Sequence, residues 1–154
     1  TSASGWLIFY QTPIRGIPQM HYLYSLTFIV LTACSASEPI EPTLAHYISA
    51  QEALAADDFD EARAALQSLA QHADPTLKPL VQKAAHSADI ISVRTAFKPL
   101  SEKMIKSEIP DGYVQAYCPM ADNDAGAHWI QRDQPRLMNP YFGATMLHCG
   151  VFKD

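Results

Sequence analysis

The chain of 154 residues has no run of lysine and arginine. Its 11 basic residues are outnumbered by 16 acidic ones, which gives a formal net charge of -5. Proteins bind phosphate backbones mainly through clustered positive charge, and such a cluster is missing here. We therefore expect no nucleic-acid partner.

The sequence also lacks the signatures of common enzyme classes. It contains no Gly-rich phosphate loop, no His-Glu-x-x-His and no Gly-x-Ser-x-Gly. His148 is the one histidine next to a cysteine, Cys149, and on a helix these neighbours would point in different directions. A cysteine nucleophile with a histidine base is therefore not expected, and we predict that the protein is not an enzyme.

No apolar run is long enough to cross a bilayer, which needs roughly 20 residues. The most apolar window is Leu23–Ala33, and it leads into Leu31-Thr32-Ala33-Cys34. These last four residues resemble the lipobox of bacterial lipoproteins, in which the cysteine is lipidated and becomes the new N-terminus. The window fits the core of a signal peptide, and the alternative is that it forms a buried helix.

This interpretation divides the N-terminal part of the chain into three segments. Residues 1–19 are interpreted as a misassigned upstream segment, 20–33 as a lipoprotein signal peptide, and 34–41 as a polar tether. Cys34 is the predicted lipidation site, so the membrane is contacted only through a lipid anchor. We expect a periplasmic protein, and Ser35 after the lipid-bearing cysteine favours the outer membrane.

From Pro42 onward the apolar residues recur at the spacing of amphipathic helices. Four such stripes follow one another through short links: Leu44–Ala55, Phe59–Ala73, Leu77–Ala88 and Ile90–Met104. Short links favour antiparallel neighbours. The sequence therefore predicts an all-α domain over residues 42–154, built as an up-and-down four-helix bundle.

Several polar residues and prolines in this region predict where the helices begin, bend and end. Asp58 with Glu61 matches a capping box, and Thr76 is the expected cap of the third helix. Pro99 should kink the fourth helix. Pro110-Asp111-Gly112 should end it.

The C-terminal segment has a different pattern. Tyr113–Tyr117 alternates like a strand, and Ala121–Gly126 has the composition of a polar loop. Asn139 before Pro140 predicts the start of a short helix that runs to about Cys149. We expect this segment to pack on the bundle through three aromatic residues: Trp129, Tyr141 and Phe142.

Soft ligand atoms are concentrated in this segment, in Cys118, Met120, Met146 and Cys149. Residues two apart on a strand share a face, and so do residues three apart on a helix, so the two sulfur pairs could converge. Thiolates and thioethers favour Cu(I) or Ag(I) over hard cations. The sequence thus predicts a soft-metal site from these four residues, with His128 and His148 as accessory ligands.

Each of these residues also has a structural interpretation. In an oxidising compartment Cys118 and Cys149 could form a disulfide, which would contribute on the order of 3 kcal/mol. Only a free thiolate binds a metal, so the two states exclude each other. Met120 and Met146 could instead fill gaps in the core.

Motifs in most of the region from Leu44 to Val151 carry a resemblance to a known family. They are Ala53-Leu54-Ala55-Ala56-Asp57-Asp58 with Ala62, then Arg94, Phe97, Leu100 and Ser101, then Tyr117-Cys118-Pro119-Met120-Ala121, Trp129, Asn139-Pro140-Tyr141-Phe142-Gly143, Met146 and Cys149-Gly150. Together they resemble an uncharacterised bacterial family, domain of unknown function 3347.

Members of that family occur alone as exported proteins and fused to periplasmic adaptor subunits of heavy-metal efflux pumps. The resemblance implies a role in copper or silver handling and an efflux adaptor or another envelope protein as partner. Where relatives carry a histidine before the Cys-Pro-Met triplet, this chain has Tyr117, so no histidine ligand is implied there. The combined hypothesis is an exported lipoprotein that buffers or delivers Cu(I) or Ag(I). Its alternative is a structural or protein-interaction domain stapled by a Cys118–Cys149 disulfide.

Overall fold

Four α-helices form most of the region that the computed structural model describes, residues 41–153. The helices are α1 (Pro42–Ala55), α2 (Phe59–His72), α3 (Lys78–Ala85) and α4 (Ile90–Met104). Each packs against the next one along the chain. The four predicted helices are confirmed, although α3 ends three residues earlier than expected. No helix within residues 41–153 combines the length and apolar character that a membrane span requires.

The predicted signal peptide, the lipidation site Cys34 and the tether up to residue 40 lie outside the described residues.

Side-chain caps fix where the helices start. The Asp58 carboxylate accepts a hydrogen bond from the backbone N–H of Glu61 at 3.0 Å, which satisfies a donor that has no partner inside α2. The reciprocal half of the predicted capping box is not formed, because the Asp58 N–H donates to the Ala53 carbonyl at 2.9 Å. In the same way the Asp89 carboxylate accepts from the Ser92 N–H at 2.8 Å and starts α4.

The cap before α3 and the end of α4 differ from the prediction. Asp74, rather than Thr76, caps the turn before α3: its carboxylate accepts from the backbone N–H of Thr76 at 2.6 Å. Helix α4 continues through Pro99 to Met104 and ends well before Pro110.

A small antiparallel sheet follows the helices. Its strands are β1 (Tyr113–Cys118), β2 (Ala127–Arg132) and β3 (Val151–Lys153), in the order β2-β1-β3. The strand predicted near residue 113 is confirmed. The domain is therefore mostly helical, with four helices packed together and a three-stranded sheet at the C-terminus.

The short helix predicted from Pro140 to Cys149 is wrong. Only one 3-10 turn forms there, Gly143–Thr145, before the chain enters β3. Gly143 adopts φ +56°, which takes the backbone out of the right-handed helical region. A Cβ atom at this position would collide with the side chains of Asp57 and Arg94.

Two apolar clusters hold the domain together. The larger one lies among the four helices and includes Ile130 of β2. The smaller one lies under the sheet and contains Cys118 and the fully buried Trp129. Of the three aromatic residues predicted to pack the C-terminal segment on the helices, only Tyr141 packs against both clusters; Trp129 and Phe142 belong to the smaller cluster.

Candidate functional site

Three of the four predicted sulfur ligands come together at the end of β1. The Sγ atoms of Cys118 and Cys149 are 2.9 Å apart. The Sδ atom of Met120 lies 3.8 Å from the Cys149 Sγ. Both cysteines are free thiols, because a disulfide has an S–S distance of about 2.05 Å. The cluster therefore offers two thiols and one thioether within contact distance.

The pairing of β1 with β3 brings the two cysteines together. Tyr117 lies opposite Val151, so the chain just before β3 runs beside the end of β1. Gly150 adopts φ +136°, and a Cβ atom there would lie 2.6 Å from the Tyr117 carbonyl oxygen. Only glycine permits this close approach without strain, and the approach puts Cys149 next to Cys118.

Asn139 holds the same segment from the other side. Its fully buried side chain donates from Nδ2 to the Cys149 carbonyl at 2.9 Å and accepts from the Tyr141 N–H at 2.8 Å. Its backbone N–H donates to the Leu147 carbonyl at 2.8 Å. Asn139 was predicted to cap a helix. It instead braces a loop whose far end carries Cys149.

The fourth predicted ligand, Met146, borders a cleft of about 510 Å³ that Met120 also lines. The Met120 side chain is 48% exposed, so it is not a core residue. The helical spacing that was expected to put Met146 beside Cys149 does not exist, because this stretch is not a helix. Met146 thus shares a cleft with Met120, and neither cysteine lines that cleft.

A tight turn forms one wall of this cleft. Residues Ala121–Asp124, predicted to be a loop, form a four-residue turn in which Asp122, Asn123 and Asp124 all have positive φ, from 55° to 65°. Asp122 makes a salt bridge of 2.5 Å with Lys98 of α4. The ion pair ties the chain that follows Met120 to the helices.

The environment of the Cys149 thiol favours its protonated form. The hydrogen bond with Cys118, together with desolvation, raises the pKa of the Cys149 thiol to about 11. A thiol must lose its proton to act as a strong metal ligand or nucleophile. Metal binding at this site would therefore release a proton at neutral pH.

The two predicted accessory histidines have hydrogen-bond partners other than the sulfur atoms. The His128 Nδ1 lies 3.1 Å from the Glu102 carboxylate, and its ring packs on Tyr117 with centroids 4.5 Å apart. The His148 Nδ1 lies 2.7 Å from the Leu137 carbonyl. Within residues 41–153 no three histidine, cysteine, aspartate or glutamate side chains are grouped closely enough to hold a metal ion. The donor atoms that the cluster itself brings together are the sulfur atoms of Cys118, Cys149 and Met120.

Arg94 connects several segments of the domain, and no local sequence pattern indicated this role; Arg94 is known from the sequence only as part of the motifs that carry the family resemblance. Its guanidinium donates to the Pro140 carbonyl at 2.9 Å and to the Leu54 carbonyl at 2.7 Å, and it pairs with Asp57. The pairing lowers the pKa of Asp57, whose second oxygen accepts from the Ala144 N–H at 2.9 Å. Arg94 and Asp57 thus fasten the loop between Asn139 and Met146 to α1 and α4.

Comparison with known proteins adds no assignment to this geometry. A scan against protein-family models, a search of curated proteins and a search of solved structures each find no match to the chain.

Proposed function

We propose that this chain is an exported lipoprotein that binds a soft metal ion, Cu(I) or Ag(I), and buffers it or delivers it to an efflux system. The observation that carries the proposal is the convergence of Cys118, Cys149 and Met120 at one end of the sheet. Met146, which borders the same cleft as Met120, is the proposed fourth ligand.

The chemistry of these ligands supports a soft ion. Thiolate and thioether sulfur favour Cu(I) and Ag(I), whereas calcium and magnesium prefer oxygen. Cys118 and Cys149 would each lose a proton and supply a thiolate, and Met120 would supply a neutral thioether. Asn139 would keep the backbone of Cys149 in place before the ion arrives, which lowers the entropic cost of binding.

The place of action is proposed from the sequence. Cys34 at the end of the lipobox would anchor the domain to the outer membrane, and the polar tether would let it reach an envelope partner. The family resemblance makes an efflux adaptor the proposed partner. We also infer that α1 to α4 run up and down in turn, since consecutive helices pack together through short links.

An anaerobic Cu(I) titration against a chromophoric chelator tests the proposal. The reduced chain should carry Cys34→Ala, so that Cys118 and Cys149 are its only thiols. We expect about one tightly bound ion, and an affinity at least about 100-fold lower in Cys118→Ser and in Cys149→Ser, since each removes a thiolate ligand.

The matched control for this titration is His72→Ala, which alters a metal-binding residue type on α2, where the His72 ring stacks on His46. Its affinity should equal that of the parent chain. Equal affinity in the parent and both cysteine variants would overturn the proposal.

The alternative function is that of a structural or protein-interaction domain stapled by a Cys118–Cys149 disulfide. The separation of 2.9 Å between the two Sγ atoms favours it, because a small side-chain rotation would join them. Closing a loop across 31 residues would contribute about 3–4 kcal/mol in the chain-entropy model. Native protein without free thiols at these positions, and a lower Tm after reduction, would support this second function.

A further inference from the structure

The two thiols of the sulfur cluster differ in their access to solvent. Cys118 is fully buried under the sheet, among the residues of the smaller apolar cluster. Cys149 is only partly buried, and the adjacent Met120 is 48% exposed. Cys149 is therefore the more accessible of the two thiols, and the buried Cys118 sulfur lies 2.9 Å from the Cys149 sulfur.

We propose that Cys149 is a thiol-exchange site that captures an external disulfide, and that Cys118 is the thiol that resolves the captured adduct. The substrate is a small or protein disulfide, written RSSR. This assignment does not depend on metal binding. It gives each cysteine a separate role, which neither a metal site nor a static staple requires.

The chemistry proceeds in two exchange steps. The Cys149 thiolate attacks one sulfur of RSSR, so that a mixed disulfide Cys149–S–S–R forms and RS⁻ leaves. The Cys118 thiolate then attacks the Cys149 Sγ, which forms the Cys118–Cys149 disulfide and expels the second RS⁻. The two protons from the cysteines pass to the two RS⁻ groups. The protein loses two electrons and RSSR gains them.

The surroundings of Cys149 suit the mixed disulfide. Met120, 3.8 Å from the Cys149 Sγ, lines the cleft of about 510 Å³, so this cleft begins one side chain away from the attacking sulfur. The Asn139 bond to the Cys149 carbonyl keeps this segment beside β1, so the adduct stays within reach of Cys118.

The test uses the full chain with Cys34→Ala, reduced and mixed with excess glutathione disulfide at mildly alkaline pH, with intact mass measured over time. The parent, which has both thiols, should lose two hydrogens and carry no lasting adduct. Cys118→Ser should gain one glutathione at Cys149 and keep it. Cys149→Ser should gain glutathione at least about tenfold more slowly, because Cys118 is buried.

The same variants in denaturant provide the control for burial. Both single-thiol variants should then react at similar rates, since neither sulfur is shielded in an unfolded chain. A second variant, Cys118→Ala, and circular dichroism of every sample show whether the fold survives the loss of the buried thiol. Its mixed disulfide should be as stable as that of Cys118→Ser.

Three outcomes would overturn the proposal: a lasting glutathione adduct on the parent, equal rates for the two single-thiol variants in their native state, or faster reaction of Cys149→Ser. No metal is present in the experiment, so its failure is separate from a failure of Cu(I) binding. If the proposed metal function also holds, oxidation by this route removes both thiolates and releases the ion.

Discussion

Replacing Arg94 with methionine should weaken the fold by much more than replacing a typical surface arginine. The Arg94 side chain is only 14% exposed, and its guanidinium is shared between the Pro140 and Leu54 carbonyls and the Asp57 carboxylate. Methionine keeps most of the apolar stem and removes every donor. The change therefore isolates the hydrogen bonds from the packing.

The expected cost follows from the burial of the acceptors. Leu54 and Pro140 are buried, and each carbonyl that loses a charged donor costs about 1–3 kcal/mol. The Leu54 carbonyl still accepts a longer hydrogen bond from the Asp57 N–H at 3.3 Å, so losing the Arg94 donor there should cost about 1 kcal/mol, the lower end of this range. The ion pair adds at most about 1 kcal/mol, because the Asp57 side chain is 42% exposed. We expect Arg94→Met to lower the free energy of unfolding by about 2–5 kcal/mol.

Urea unfolding followed by circular dichroism measures this loss. If the free energy of unfolding falls by about 1.5–2 kcal/mol per molar urea, the urea midpoint should fall by about 2 M. Arg94→Lys should lie between the parent and Arg94→Met, because an ammonium group cannot reproduce the forked geometry of the guanidinium. The matched control is Arg63→Met on α2, an exposed arginine over the Phe59 ring, which should cost less than about 1 kcal/mol.

Equal shifts of the urea midpoint in Arg94→Met and Arg63→Met would refute the claim that the hydrogen bonds of Arg94 stabilise the fold. In that case the contacts of Arg94 with the loop between Asn139 and Met146 would be incidental. A large loss in both variants would refute it too, since the exposed arginine has no buried acceptor to leave unpaired.

Three further predictions concern the sulfur cluster. Gly150→Ala forces a Cβ atom to 2.6 Å from the Tyr117 carbonyl at φ +136°, so it should lower the free energy of unfolding by about 1–3 kcal/mol in urea titrations; an unchanged midpoint would contradict this. Asn139→Ala leaves the Cys149 carbonyl without its donor, so it should lower the free energy of unfolding by about 1–3 kcal/mol. It should also slow the formation of the Cys118–Cys149 disulfide, and an unchanged rate would contradict the role of Asn139 in holding Cys149 in place. Because the pKa of Cys149 is about 11, its thiol must lose a proton when Cu(I) binds near neutral pH. The apparent Cu(I) affinity should therefore rise at least about tenfold per pH unit from about pH 6 to 8. An affinity that does not change with pH would contradict a thiolate ligand.

The helices were predictable because their signals are local. Apolar residues at a spacing of three and four, with caps such as Asp58, determine each element within its own sequence. The end of α4 was predicted less well, because the helix ends at Met104, before the Pro110 that was expected to end it.

The sheet and the last loop were predicted less well because their causes are non-local. Strand β3 has only three residues, all exposed, so it shows no alternation that a sequence could reveal. The helix expected after Asn139 does not form, and Gly143 within it has a positive φ. Because Gly143 has no Cβ, the side chains of Asp57 and Arg94, which come from distant parts of the chain, can lie against it. Neither partner could be inferred from the residues around Gly143.

The sulfur cluster was predicted from spacing arguments that the structure does not bear out. Strand β1 ends at the buried Cys118, so Met120 lies beyond it and is 48% exposed, and the alternation of a strand does not place the two side chains on one face. Cys149 joins them because β3 pairs with β1, and Met146 lies at the cleft because no helix aligns it with Cys149. The residue types in the sequence show which residues carry soft ligand atoms, whereas strand pairing decides which of these residues meet.

X-ray absorption spectroscopy on copper in the Cu(I)-loaded reduced chain tests the central claim most directly. We expect the atoms nearest copper to be sulfur only, and we expect Cys149→Ser, but not His72→Ala, to lose copper from the isolated protein. Nitrogen from histidine among the nearest atoms, or copper retained in full by Cys149→Ser, would contradict the assignment of the ion to Cys118, Cys149 and Met120.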